Sequence, residues 1–237
     1  MQAWLELYKS IRPVAEMKEM PENEEWCCYV QSPADNWPVK IGGTRESLRY
    51  IPREPQYYRF FQEARRWWMI PCVLWDGSPI GFVLRNFDPA SGSAKFSTIY
   101  PENRAQLLYG LNDFKDFDSS KVLGLCEGPK ERIVLSSAYP YFLGLLGNKI
   151  SPGLFPLLVD MVSGKNGSGT IVLALDSDEA GRKATEFHIK KFREAGVSCK
   201  ILSAPTVDGE KTDWGNLHYL TGSTWLQNQV NAALKLS

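Results

Sequence analysis

The stretch that decides the fold is Gly169–Gly196, GTIVLALDSDEAGRKATEFHIKKFREAG. Its first half, Thr170–Leu175, is a β-branched threonine followed by five consecutive apolar residues, a run of strand length as expected of a strand covered on both faces. Its second half carries apolar residues at helical spacing and closes on Gly196, the residue type that most readily ends a helix in the left-handed conformation. Between the halves stand Asp176 and Asp178. Residues i and i+2 of an extended segment point the same way, so both carboxylates can face one site.

The same rhythm extends in both directions. Upstream, KVLGLCEG (121–128) is a short apolar run ending in Glu-Gly, with a helix predicted from about Lys130. YFLGLLG (141–147) is a further run, followed by a predicted helix near 151–162. Downstream, VSCKILSAP (197–205) reads as a strand, and STWLQNQVNAALKL (223–236) as an amphipathic helix opened by Ser223 or Thr224. Alternating strands and helices predict an α/β fold, with a mostly parallel sheet flanked by helices.

Residues 1–118 read differently. A helix is expected near 3–10 and another over about 55–67. IPCVLWDG (70–77) and SPIGFVLRNF (78–87) follow as two strands around a turn at Asp76-Gly77, with SAKFSTIY (93–100) as a third strand. This is a smaller α+β subdomain. The expected organisation is therefore 1–118, 119–217 and a C-terminal helix at 218–237.

Composition narrows the function. The 237 residues are 43% hydrophobic and 23% charged, which is ordinary globular usage, with no apolar stretch of membrane-spanning length and no signal-type N-terminus. A soluble, intracellular protein without a membrane partner is expected. The five cysteines are scattered, no CxxC occurs, and His188 and His218 are the only histidines. Neither a disulfide framework nor a four-ligand zinc site is predicted. Net charge is zero, but residues through Asp35 carry seven acids against three bases, whereas Lys40 to Arg104 carry ten bases against six acids. Tyr50, Tyr57, Tyr58, Phe60, Trp67 and Trp68 are interleaved with those cations, a weak nucleic-acid signature because many such rings are also core.

Ligands of open parallel sheets gather beyond the carboxyl ends of the strands. Glu127, Asp176 and Asp178 lie at such ends, and Asp213 follows the last strand by a short loop. Clustered carboxylates repel unless a cation compensates, and Mg²⁺ suits all-oxygen ligands. Gly128 and Gly181 sit just behind the acids, where a missing Cβ admits another backbone or a phosphate. Asp178 can equally cap the following helix, and Glu127 can be an ordinary loop acid. Periodicity does not choose between these readings. His188 reads as a surface or half-buried residue, and Cys126 as a small buried strand residue rather than a nucleophile.

Taken together, LGLCEGPKERIVL (123–135), TIVLALDSDEAGRKA (170–184) and EKTDWGNL (210–217) resemble the TOPRIM domain of bacterial-type primases, topoisomerases and some nucleases. GSPIGFVLRNFDP (77–89), AKFSTIY (94–100) and LLYGL (107–111) are similar in order and spacing to the lead-in of replicative primases. The resemblance implies a primase-like nucleotidyltransferase making short primers by two-metal phosphoryl transfer, with a TOPRIM nuclease or a degenerate nucleic-acid-binding module as alternatives. It implies Mg²⁺ or Mn²⁺, a single-stranded DNA template, nucleoside triphosphates, a replicative helicase partner and a cytoplasmic setting in a bacterial or phage-infected cell. It assigns Glu127, Asp176 and Asp178 to catalysis, the same three with Asp213 to metal binding, and Arg85, Lys95, Glu131 and Arg182 to nucleotide or nucleic-acid binding. Three departures stand out. Glu131 occupies a position that is commonly Asp, Gly215 or Asn216 stands for the second late acid, and Ser97 and Thr98 stand where an Asn is usual. The zinc module that normally precedes the primase core is also missing, which implies weakly selective priming.

Overall fold

The computed structural model describes residues 108–114, 116–163, 169–204 and 214–235, with strand segments at 18–19, 49–50, 67–73, 79–86 and 96–99. Two short strands, β1 (Lys18–Glu19) and β2 (Arg49–Tyr50), pair antiparallel. Strands β3 (Trp67–Val73), β4 (Pro79–Asn86) and β5 (Phe96–Ile99) form an antiparallel sheet in the order β3-β4-β5. β3 starts at Trp67 rather than near Ile70, where the sequence reading began it. Trp67 pairs with Asn86 and Trp68 with Arg85, so pairing recruits two bulky aromatics that suit a pleated surface. The helices expected over 3–10 and up to residue 66 lie outside the described residues.

The second sheet is the parallel one. Strands β6 (Leu123–Cys126), β7 (Phe142–Gly144), β8 (Thr170–Ala174) and β9 (Ser198–Ile201) are ordered β7-β6-β8-β9, and every neighbouring pair is parallel. Each crossover is a helix: α1 (Pro129–Ser136), α2 (Leu154–Val162) and α3 (Glu179–Glu194). A last helix, α4 (Trp214–Lys235), begins well before Ser223.

Period-two alternation sorts the sheet into two faces. Leu123, Leu125, Ile171 and Leu173 pack with Leu154, Leu158 and Met161 of α2 and Phe192 of α3. Cys126, Val172 and Ala174 pack on the opposite side with Val134 and Leu135 of α1 and Trp214, Leu226 and Val230 of α4. The central strands β6 and β8 are therefore buried throughout, whereas β9, at the sheet edge, has only exposed and half-buried positions. That contrast explains why 170–175 is the most apolar run in the chain.

The first sheet meets the parallel core through Cys72 and Val83, which pack in the same cluster as Leu108, Leu111 and Phe114. The Leu-Tyr-Gly-Leu segment continues this junction. Tyr109 and Gly144 exchange two backbone hydrogen bonds, each 2.9 Å, so the segment shields the outer edge of β7.

One glycine fixes how α3 meets β8. A Cβ at Gly181 would lie 2.1 Å from the Asp176 carbonyl oxygen, so only a bare Cα lets the helix start so close to the strand end. In an ordinary helix Gly→Ala stabilises by up to about 1 kcal/mol. Here Gly181→Ala is expected to destabilise by roughly 1–3 kcal/mol through the backbone clash, measured by urea denaturation. The sign alone tests the packing.

Candidate functional site

β6 and β8 are hydrogen-bonded neighbours with Cys126 opposite Ala174, so the residues leaving their carboxyl ends emerge side by side. Glu127 is the first residue beyond β6, and Asp176 is two beyond β8. The Asp176 backbone N–H donates to Glu127 Oε1 at 3.1 Å. Two acids 49 positions apart in sequence are thereby joined across the strand ends.

The electrostatics follow from this convergence. The half-buried Glu127 carboxyl is pushed up to about 7, first by burial and then by the Asp176 carboxylate, with Asp178 and Glu131 adding to the repulsion. The hydrogen bond from the Asp176 amide acts in the opposite direction and is too weak to cancel them. Near neutral pH the group is thus poised between proton donor and acceptor.

Asp178 is exposed and caps α3, its Oδ1 accepting the Gly181 N–H at 2.7 Å. The capping role that the sequence left open is therefore real, and it coexists with proximity to Glu127. Glu131 sits one turn into α1, behind Gly128, where a Cβ would meet only the Glu131 carboxylate at 3.1 Å. Of the two glycines behind the acids, Gly181 admits a backbone and Gly128 faces a movable side chain. Arg182 is exposed, and its Nη1 donates to the Ser177 carbonyl at 2.6 Å, holding a cation over the loop between Asp176 and α3.

Arg85 lies on β4, paired with Trp68 on one side and Phe96 on the other. Lys95 and Asp213 lie outside the described residues. His188 is buried rather than at the surface, with Nε2 2.9 Å from the Asn148 carbonyl, and burial lowers its pKa. Cys126 is fully buried, its thiol faces the Leu143 carbonyl at 3.5 Å, and its pKa is raised well above the ordinary value by burial. It is a core residue.

Sequence reading missed Arg132. This side chain is buried, and its guanidinium donates to the carbonyls of Phe142 (3.2 Å), Gly110 (3.2 Å) and Pro140 (3.5 Å) and to the Asp113 carboxylate. It binds the Leu-Tyr-Gly-Leu segment to the start of β7, the strand paired with β6. Gly110, at φ +103°, makes room for it; a Cβ there would come within 2.3 Å of Arg132 Nε. No sequence signal marked it, because Arg132 directly follows Lys130 and Glu131 in the charged first turn of α1.

Among the described residues no group of three or more His, Cys, Asp or Glu side chains forms a metal-holding set. Mg²⁺, however, keeps several waters and is commonly held by one or two carboxylates plus substrate phosphates. Glu127 and Asp176 fit that lighter requirement, and their mutual repulsion is of the kind a cation relieves.

A Toprim-like family model matches residues 142–218, a stretch that contains Asp176 and Asp178 and begins after Glu127. No curated protein matches the sequence. Among solved structures, the zinc-binding and RNA polymerase domains of the Aquifex aeolicus primase align over 71% of this chain and 40% of that one, at 23% identity and TM-score 0.56. The RNA polymerase domain of Mycobacterium tuberculosis primase aligns over 70% of this chain and 55% of that one, at 19% identity and TM-score 0.59. A primase catalytic domain bound to single-stranded DNA aligns over 84% and 63% respectively, at 20% identity and TM-score 0.55. The chain spans less than two thirds of the length of these structures. It has a Toprim-domain fold that resembles the catalytic RNA polymerase core of bacterial primases. No helix among the described residues is long and apolar enough to cross a membrane.

Proposed function

We propose, from a Toprim fold shared with the RNA polymerase domains of bacterial primases, that this chain acts on nucleic acid at the Glu127–Asp176 pair, hydrolysing a phosphodiester bond with the help of a divalent cation. The observation that carries the reading is the hydrogen bond between Asp176 N–H and Glu127 Oε1, together with a Glu127 pKa near neutrality. A carboxyl of that pKa can take a proton from an attacking water and return it to a leaving oxygen. Mg²⁺ or Mn²⁺ would be held by Asp176 together with phosphate oxygens of the substrate, which leaves Glu127 to carry the proton, and the ion when bound supplies Lewis-acid polarisation and a more acidic water. Asp178 fixes the start of α3, and Arg182 offers a guanidinium to a phosphate arriving at that rim. A single-strand complex and a double-strand complex among the similar primase structures support a nucleic-acid substrate.

Primer synthesis is the second reading, favoured by the lead-in at 77–111 and by the likeness to RNA polymerase domains. It would use a single-stranded template, nucleoside triphosphates and a helicase partner. It also asks for further metal ligands, Asp178 and Asp213, and for Arg85, Lys95 and Glu131 at the triphosphate or template.

Incubating end-labelled single strands with Mg²⁺ or Mn²⁺, with and without nucleoside triphosphates, separates the two. Shortened strands that form regardless of nucleotides, and disappear with Asp176→Asn, are the expected result. Products that appear only with nucleotides would establish synthesis instead. Turnover undiminished by Asp176→Asn would refute both.

A further inference from the structure

We infer that the outward face of α3 is a binding track for single-stranded nucleic acid, with Phe187 as a base-stacking platform and Lys190 and Lys191 as phosphate contacts. Helix α3 buries Gly181, Thr185, His188 and Phe192. Its opposite face carries Lys183, Phe187, Lys190, Lys191 and Glu194, which follow helical spacing and are all exposed. A phenylalanine at the centre of such a face is out of keeping with an amphipathic surface helix. Phe187 is 57% exposed, and among the described residues the other exposed large hydrophobic, Ile201, stands on β9.

The ring is held in place. It lies edge-on to the His188 ring, with centroids 5.4 Å apart, and His188 is itself fixed to the Asn148 carbonyl. Lys191 Nζ lies 5.9 Å from the Phe187 centroid. A fixed, open aromatic face with an ammonium group beside it and a second lysine on the same helix face matches the chemistry that binds single strands, where bases stack and cations follow the backbone. Apolar protein partners ask for a contiguous apolar patch, and one isolated ring does not make one. Three acids share the helix surface: Glu179, engaged by Lys183 at 2.6 Å, Glu186, one turn before Lys190, and Glu194 in the last turn. Arg182, Lys183, Lys190, Lys191 and Arg193 outnumber them, so the helix keeps a net positive charge.

The track's direction rests on the proposed reading of the acidic site. Asp178 opens the helix that carries Phe187, and nine residues at helical rise separate them by about 13 Å. A strand engaged at Glu127 and Asp176 could continue along α3 for a few nucleotides.

The test is fluorescence anisotropy of a labelled oligothymidylate with the full chain in EDTA, across a salt series. Phe187→Ala is expected to weaken binding about tenfold. Lys190→Ala/Lys191→Ala is expected to reduce the salt dependence of log Kd by about 1.4. Phe187→Leu keeps apolar bulk without an aromatic face, and it should bind as weakly as Phe187→Ala. Wild-type affinity in Phe187→Leu, or in both lysine and alanine variants with unchanged unfolding midpoints, would overturn the track. If those variants bind normally while Asp176→Asn abolishes turnover, only this inference fails. If Asp176→Asn leaves turnover intact while the variants bind weakly, the acidic-site reading fails and the track stands.

Discussion

Arg132→Met is expected to destabilise the folded chain by roughly 2–4 kcal/mol, the largest stability loss among the residues around the site. Methionine preserves much of the apolar stem and removes the guanidinium. The carbonyls of Phe142 and Gly110 then lose their donor in a buried setting, and each such loss costs about 1–3 kcal/mol. Asp113, whose side chain is 39% exposed, can turn to water, which keeps the total below that of a fully buried pair. Asp113→Asn should consequently cost less than about 1 kcal/mol. Urea denaturation measures both. Hydrogen exchange adds a local readout, because the Tyr109 and Gly144 amides that bridge the segment to β7 should lose protection in Arg132→Met before the rest of the sheet does.

Glu127→Gln should produce the largest functional effect, lowering turnover by about 10²–10⁴-fold if the carboxyl is the acid–base group. Its stability effect has the opposite sign. In the folded chain Glu127 binds its proton up to about pH 7, against an ordinary value of 4.5. The folded state therefore carries the extra proton between those values, and stability falls as pH rises through that window. Glutamine, which still accepts the Asp176 N–H, escapes that loss. Discounting for partial exposure, the variant should be about 1–2 kcal/mol more stable than wild type at pH 8. Below pH 4.5, where Glu127 is protonated in both states, the two proteins should unfold at similar denaturant concentrations. A dead enzyme that is more stable at alkaline pH separates a chemical role from a structural one.

Much of this architecture was legible from local pattern. The run at 170–175 reads as a strand because β8 is covered on both faces, and α3 is bounded by Asp178 and Gly196, the latter at φ +76°. The alternation of strand and helix was sufficient to place Glu127, Asp176 and Asp178 at one rim of a parallel sheet. What stayed hidden depended on partners distant in sequence. α4 was begun at Ser223 or Thr224, where a capping residue precedes an amphipathic run, yet the helix starts at Trp214 and runs through Gly222. Trp214 at its start and Leu226 and Val230 further along anchor it in the core shared with α1, and this outweighs the roughly 1 kcal/mol cost of an internal glycine. Arg132 shows the same limit. Its helix was read correctly, but carbonyls 8 to 22 positions away define its role. The cap at Asp178 and the approach of Asp178 to Glu127 looked like competing readings of one residue. The fold forms the cap, and the carboxylate that makes it is near enough to Glu127 to help raise its pKa.

The convergence of these acids is best measured at Glu127 itself, by following its side-chain carboxyl carbon by NMR as pH is varied in metal-free buffer. A midpoint near 7 that falls when Asp176 is replaced by Asn is the expected result. A midpoint near the ordinary 4.5, unmoved by Asp176→Asn, would mean that the two acids do not share a site.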